Sequence, residues 1–568
     1  MTVGLVGSGP AAEAVVSAVA DVDISVTQMD PVELPEATLG VVVAVAGDAV
    51  FERVNEQLSG SATPWIAVEL GGVGGYPVVE AAVTGFGTET ACYACLRERV
   101  GANVDPDEQP TAAPAAPIQR FAGAIAGRAA ATHRSGDRSA VFGQVRTIPD
   151  ATHPFLAVPG CECGERPTRT LERTTSDRSV DAALDSAERA IDERTGIVRE
   201  VGEVESYPVP YYLARGCDTG GFSDATASQE AAGVSGDWNA ALMKALGEAF
   251  ERYCAGVYRT DDWIEATPDD LENPIRPSAF VTPDLLDDDV PRRWLEGSQL
   301  GTDTDVWLPA ELVHYPPHER TIRPSITTGL GLGNSTVEAL LSGLYEVVER
   351  DATMLAWYST FEPLGLEIED EQFRTIANRA GAEGLSVTPL LVTQDVDVPV
   401  IAVAVHREGE WPRFALGSAA NLDPAAAARS ALTEAIQNWV ELRGMGRSDA
   451  ADSSGAIGWY ADFPEEIETF VGVDRRVDAA DVGPAEVPAG EAELDSILER
   501  LDEAGLSAYG CRITTRDVES IGFEAVRVLC PDAQPLFFDD AYFGERARSV
   551  PESLGFEPRL DREHHPFP

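Results

Sequence analysis

Apolar residues along this chain recur with two periods, and each predicts a different element. Short continuous apolar runs bounded by glycine, at residues 2–7, 39–45 and 65–70, predict buried strands. From Ala241 to Arg252 the period changes: Leu242, Ala245, Leu246, Ala249 and Tyr253 fall at i, i+3, i+4, i+7 and i+11, the apolar stripe of a helix packed on one face. The same string returns in register from Ala339 to Arg350, with Leu340, Gly343, Leu344 and Val347 on the stripe, and a weaker third copy runs from Ala427 to Asn438.

Polar positions keep a fixed offset from these stripes. Glu248, Glu251 and Arg252 occupy the places that Glu346, Glu349 and Arg350 occupy in the second copy, and Glu434 and Gln437 follow in the third. Positions three and four apart share a helix face, so such residues can converge on one ligand. A single Glu-x-x-Glu-Arg is usually a solvated, internally paired surface. Copies in register about 90 residues apart argue instead for a shared site. Mg2+ takes oxygen ligands and keeps waters and phosphate oxygens, which suits one carboxylate from each of several helices. Arg252 and Arg350 suit phosphates or the neighbouring acids.

Composition changes the setting. With 95 acidic against 42 basic residues the net charge is −53, which disfavours direct nucleic-acid contact. Lys244 is the only lysine. An acid-rich, lysine-poor chain of this kind looks like a protein of a salt-accumulating halophile, so its acidity is read as adaptation to solvent. Its 568 residues suffice for two or three domains. No run is long enough to span a membrane and no secretory signal is visible, so a cytoplasmic location is expected.

Eight cysteines are too few for a disulfide framework. Cys92 and Cys95, with Cys161 and Cys163, supply the four thiolates of a tetrahedral structural Zn2+, with reduced buried thiols or a redox pair as the alternative. Around them, residues 1–167 read as α/β. Gly7-Ser-Gly9-Pro-Ala-Ala12 between strand and helix resembles a dinucleotide or nucleotide turn, though no second-strand acid stands out as a ribose ligand and Asp30 is only a candidate. A helix is expected at 118–132 after an exposed loop at 105–117.

Two family resemblances follow from these motifs. The segment from Pro64 through Gly71-Gly-Val-Gly-Gly-Tyr76 to Cys92-Tyr-Ala-Cys95 resembles the ThiF-like, ubiquitin-activating-enzyme-related domain that accompanies azole-forming enzymes. That resemblance implies a Rossmann-like domain at 1–167 whose cysteines hold Zn2+ and which docks a leader-bearing peptide. From Ser179 onward the chain is similar to the YcaO family, through Gly247-Glu-Ala-Phe-Glu-Arg-Tyr253, Gly329-Leu-Gly-Leu-Gly-Asn334, Glu346-Val-Val-Glu-Arg-Asp351 and Ala431-Leu-Thr-Glu-Ala-Ile-Gln437. It implies an α+β domain at 178–568, with repeated helices on antiparallel sheets, that activates peptide amides with ATP. Glu248, Glu251, Glu346, Glu349 and Glu434 would hold Mg2+ and nucleotide, with Gln437 and Arg447 beside them.

The implied reaction is cyclodehydration. A substrate Cys, Ser or Thr side chain attacks the preceding carbonyl, the oxyanion takes the γ-phosphoryl group, and loss of phosphate leaves an azoline. Thioamidation with a sulfur-transfer partner and a lapsed peptide-binding scaffold are the alternatives; a separate flavin oxidase would make the aromatic azole, and a homodimer is expected. The chain departs from the family pattern twice. Ala231-Ala-Gly-Val-Ser235 lacks the upstream lysine, and Lys244 stands where Ser342 and Ser430 stand in the other copies, so Lys244 is the candidate replacement cation. The ending His564-His-Pro-Phe-Pro568 is similar to the alternating prolines of azole-forming members, which makes the Pro568 carboxylate a catalytic candidate.

Overall fold

The computed structural model describes residues 1–20, 22, 24–105, 114–135, 141–149, 151–451 and 455–567. Most of the loop expected at 105–117 and the candidate Pro568 therefore lie outside the described residues.

Residues 2–154 build one seven-stranded sheet. Strands β1 (Thr2–Val6), β2 (Ser25–Gln28), β3 (Leu39–Val45) and β4 (Trp65–Leu70) are parallel, and β5 (Ala81–Phe86), β6 (Gln144–Ile148) and β7 (Ala151–Pro154) continue antiparallel, in the order β2-β1-β3-β4-β5-β6-β7. The continuous apolar runs are buried on both faces, as such a sheet requires. Helices α1 (Pro10–Ala18), α2 (Val50–Leu58), α3 (Tyr93–Gly101) and α4 (Ala116–Arg134) belong to this part of the chain. α1 stops at Ala18, and α4 is two residues longer at each end than the expected 118–132. Gly7 and Gly9 take φ of 108° and 91°, which only glycine adopts freely, so the sharp turn after β1 was legible. Asp30 opens the 3-10 turn Pro31–Glu36, its N–H donating to Glu33 Oε2 at 2.9 Å.

Beyond α5 (Val180–Ala187) come β8 (Val198–Glu205), β9 (Tyr211–Gly216) and β10 (Glu230–Val234), a three-stranded antiparallel sheet. The remaining strands are β11 (Ile264–Ala266), β12 (Arg292–Gln299), β13 (Thr304–Pro309), β14 (Leu330–Gly333), β15 (Leu364–Glu367), β16 (Ser386–Leu391), β17 (Val400–His406), β18 (Phe414–Ala420), β19 (Arg476–Asp478), β20 (Tyr509–Arg512) and β21 (Glu524–Leu529). They form a six-stranded antiparallel sheet, β11-β12-β20-β21-β14 with β13 on β12, and a five-stranded sheet, β18-β17-β16-β15-β19, in which only the β15–β19 pair is parallel.

One unit recurs in all three of these sheets: a strand ends, a short polar residue starts a helix, and the helix packs back on its own strand. β10 leads to α6 (Trp238–Gly256), and, beyond the one-turn α7 (Ala310–Val313), β14 leads to α8 (Thr336–Trp357). After α9 (Glu371–Ala382), β18 leads to α10 (Pro424–Ala451). Asp237 and Ser335 accept the N–H of Ala240 and Glu338, satisfying donors that a helix start leaves orphaned. Contact is close enough to require glycine on each strand. A Cβ on Gly233 would lie 2.2 Å from Ala245 N, on Gly331 2.1 Å from Ala339 O, and on Gly417 2.4 Å from Ala431 O. The helical motifs of the sequence are thus α6, α8 and α10, each set by its own strand.

Burial of α8 goes further than its apolar stripe predicts, for Glu349, Asp351 and Thr353 are buried along with it. α10 is broken at Gly446, whose φ of 80° and ψ of 159° are not helical. The final segment is packed rather than frayed: His565 and Phe567 are buried, His565 Nε2 lies 2.7 Å from Phe537 O, and Trp357 Nε1 donates to Glu563 O at 3.0 Å.

Replacing Gly233 by Ala should displace α6 from β10 and destabilise the protein by about 1–3 kcal/mol, as overpacking does. A lower urea midpoint measures this, and a control Ala at Gly202, where a Cβ meets nothing within 4 Å, should leave it unchanged.

Candidate active site

Each repeated helix presents its first glutamate to a backbone N–H in the strand before it or, for α8, in the residue just ahead of that strand. Ala232 N donates to Glu248 Oε2 at 2.9 Å, Gly329 N to Glu346 Oε2 at 3.1 Å, and Ser418 N to Glu434 Oε2 at 2.6 Å, across 16, 17 and 16 residues. The second acids sit deeper. Ser418 Oγ donates to Glu349 Oε1 at 2.7 Å, and Arg350 Nε lies 3.5 Å from the same oxygen. Arg252 spans Glu248 at 3.1 Å and Glu251 at 3.7 Å.

These carboxylates feel one another. Burial raises Glu251 to about 7; Arg252 opposes this and Glu346 and Glu248 add to it. Burial raises Glu349 to about 8, with Arg350 opposing and Glu434 and Glu346 adding. Glu434 is raised by burial too. Residues from three sheets thus form one acidic centre. Among the described residues no three carboxylates bring their oxygens within 4.8 Å of one another. A cation here would need further oxygens, as Mg2+ bound to phosphate has.

Lys244 and Ser430, equivalent positions in two copies, open into the same cleft of about 710 Å3 between α6, α9 and α10, together with Ser235, Glu371, Arg379 and Arg429. Lys244 is exposed and lines that cleft; the protein around it lowers its pKa and Glu434 opposes the shift. Ser342, the third equivalent, is exposed and is not part of this lining.

On the other flank the structure adds residues the sequence did not single out. Arg527, 2% exposed, donates to Thr327 O at 2.9 Å and Ile326 O at 3.0 Å. Burial and the nearby Arg323 and Arg252 press its pKa down to about 9, while Glu346 and Glu251 resist. Arg252 and Arg527 therefore border both Glu251 and Glu346. Gln437 joins a chain of its own: its Nε2 donates to Glu441 Oε1 at 2.9 Å, and the Tyr211 hydroxyl donates to the same oxygen at 2.8 Å. Arg447 is not brought in. It lies beyond the break at Gly446, mostly exposed and paired with Asp462, because the helix that would have carried it inward has ended. No motif marks Arg527 or Tyr211, which arrive from other strands.

Cys92, Cys95, Cys161 and Cys163 form a second centre. Their sulfurs lie within 4.8 Å of one another, with separations of 3.8, 3.6 and 3.5 Å for Cys92–Cys95, Cys92–Cys161 and Cys95–Cys163. Tetrahedral Zn–S bonds of about 2.3 Å imply sulfur–sulfur edges of about 3.8 Å, so the set fits a metal and not a disulfide pair. Arg516 Nη2 donates to Cys163 Sγ at 3.2 Å and Cys95 Sγ at 3.7 Å.

Residues 232–534, more than half of the chain, match the model of the YcaO cyclodehydratases, described as ATP- and Mg2+-binding. The chain belongs to the YcaO family. It is accordingly an ATP-dependent cyclodehydratase-family enzyme. An uncharacterized protein of Methanothermobacter thermautotrophicus is 29% identical over 335 residues, 54% of this chain and 82% of that protein. Among solved structures, a heterocyclase in complex with substrate and cofactor superposes over 100% of this chain and 85% of its own, with a TM-score of 0.78 at 20% identity. YcaO from Methanopyrus kandleri bound with AMPPCP and Mg2+ covers 61% of this chain and 89% of its own, with a TM-score of 0.50 at 24% identity. The YcaO match spans α6, α8 and α10, and the heterocyclase shares the fold over the first sheet as well.

The raised carboxyls set a pH dependence. Folded Glu349 keeps a proton that the unfolded chain releases near 4.5, so in the absence of Mg2+ the folded state loses stability as pH rises through that window toward 8. Glu349→Gln should therefore raise Tm at pH 8 by about 2 °C, with a smaller gain at pH 5, in thermal melts without divalent cation.

Proposed function

We propose that the protein cyclodehydrates Cys, Ser or Thr residues of a leader-bearing peptide. Residues 1–167 act as a ThiF-like docking domain with a structural Zn2+ on the four cysteines, and 178–568 as the ATP-dependent catalytic domain. The observation that carries this reading is the set of three first glutamates, each pinned at one oxygen by a backbone N–H in or just ahead of the strand its helix packs on; the cleft of about 710 Å3 is lined by Lys244, one turn before Glu248, and by Thr433, next to Glu434. Such pinning fixes the acids before any ligand arrives, so little reorganisation is needed when phosphate charge develops. Mg2+, when bound with the nucleotide, would neutralise that charge.

In this reading Glu248, Glu251, Glu346, Glu349 and Glu434 hold the cation, and Lys244, on the cleft side, supplies the phosphate-directed ammonium in place of the absent upstream lysine. Arg252, Arg350 and Arg527 balance the acids and the phosphoryl group. Gln437 orients Glu441 rather than binding metal. Arg447 is dropped from the site, and Pro568 lies outside the described residues. The N-terminal domain raises the local concentration of the reacting segment by holding the rest of the peptide. The low lysine content and the charge of −53 fit work in a salt-rich cytoplasm.

The test uses high-salt buffer, ATP and a Cys-containing precursor peptide. Phosphate release with loss of one water per ring is expected. Exchange of oxygen for sulfur in the presence of a sulfur donor would replace cyclisation by thioamidation, and peptide binding without phosphate release would leave a scaffold. Lys244→Ala should weaken ATP binding about 10–100-fold, the cost of losing a charge-assisted contact. Unchanged ATP affinity and turnover would remove Lys244 from the site.

A further inference from the structure

The four-cysteine centre and the acidic centre are joined through two consecutive residues. Arg516 and Asp517 sit on the short helix Arg516–Ser520, beyond β20. Arg516 reaches toward the cysteines, donating to Cys163 Sγ, Cys95 Sγ and, at 3.0 Å, Cys161 O. Asp517 reaches the other way. Its Oδ2 accepts the Tyr253 hydroxyl at 2.7 Å and pairs with Arg99, both partners of that pair being fully buried. Arg99 stands on α3, one turn after Cys95, and Tyr253 stands on α6, directly after Glu251 and Arg252.

Helix geometry turns these contacts into leverage. Tyr253 lies about 200° around α6 from Glu251, so the helix offers the acids to one side and its anchor to the other. α6 is stiff, and a movement of Tyr253 is a movement of Glu248 and Glu251. A tetrathiolate around a divalent ion carries a net charge of about −2, which Arg516 partly neutralises in a buried setting. With the metal lost, nothing holds the sulfurs of Cys163 and Cys95 in place, Arg516 keeps the Cys161 carbonyl as its fixed acceptor, and an underpaired buried cation is costly. Arg516 would then move, carrying Asp517 with it.

We propose that Arg516 and Asp517 are positioning residues that hold α6 in register with the four-cysteine centre, so that metal occupancy of that centre sets the affinity of the acid cluster for Mg2+–nucleotide. This rests on the acids being the nucleotide site, as proposed above. The Zn2+ centre is then part of the catalytic domain's alignment as well as a clasp for the first sheet.

Coupling between sites is reciprocal, which makes it measurable without turnover. The full-length protein is loaded with Zn2+, and the chelator concentration that strips half the metal is measured with and without AMPPCP–Mg2+. Nucleotide should raise that midpoint by about fivefold or more. Tyr253→Phe keeps the ring and every metal ligand but severs the link; it should bring the ratio to one while leaving the midpoint without nucleotide unchanged. Arg516→Met should lower both midpoints. A wild-type midpoint indifferent to nucleotide overturns the coupling, as does an undiminished ratio in Tyr253→Phe. Glu251→Gln, read by AMPPCP affinity alone, separates the two claims: unchanged affinity there refutes the acid cluster as the nucleotide site.

Discussion

Everything in the acidic centre depends on three backbone N–H groups, in or just ahead of β10, β14 and β18, each holding one glutamate oxygen. Like-charged carboxylates repel, and burying them adds a desolvation penalty that Arg252 and Arg350 offset only in part. Gathering five of them is possible because the first acid of each helix is hydrogen-bonded to a strand that cannot move away. The close glycine contacts at Gly233, Gly331 and Gly417 serve the same end, since they set how near each helix lies to its strand. A bulkier residue there would lengthen those bonds, and the acids would part.

Arginine does the interior electrostatic work that this composition leaves open. With one lysine in the chain, Arg99, Arg512, Arg516, Arg527 and Arg546 are all buried, each with carboxylate, carbonyl or sulfur partners. The planar guanidinium is weakly hydrated and reaches several acceptors at once, so it enters a core at lower cost than an ammonium. Arg546, for example, bridges Asp351 of α8 to Asp395, and Arg512 holds Glu519 and Glu524 together. Surface acidity and buried arginine are thus complementary: one keeps the chain solvated, and the other aligns the elements that carry the site.

Much of the site was legible because its residues lie on helices with a strong period. The offset of Glu248, Glu346 and Glu434 from their apolar stripes is local, and locality is what a sequence displays. Lys244 was visible through rarity, Cys92 and Cys95 through their spacing on one turn. Arg447, which only the family resemblance implied, lies beyond Gly446, where a positive φ breaks the helix. Arg527, Arg516 and Asp517 carried no local sign. Arg527 comes from a strand, and Arg516 and Asp517 from a short helix that follows β20, all of them far along the chain from their partners, and only tertiary packing makes them neighbours.

By itself, the sequence determined the repeated acidic helices, the thiolate ligand set, the apolar strands of the first sheet and the extreme charge, all of which follow from periodicity, short spacing or composition. Tertiary structure alone decided which backbone groups hold the glutamates, that three sheets bring them to one centre, and that Tyr253, Asp517 and Arg516 connect that centre to the cysteines. The physical reason is distance along the chain. A helix face is written within two turns, whereas a buried ion pair such as Arg99 with Asp517 exists only once the intervening elements have folded.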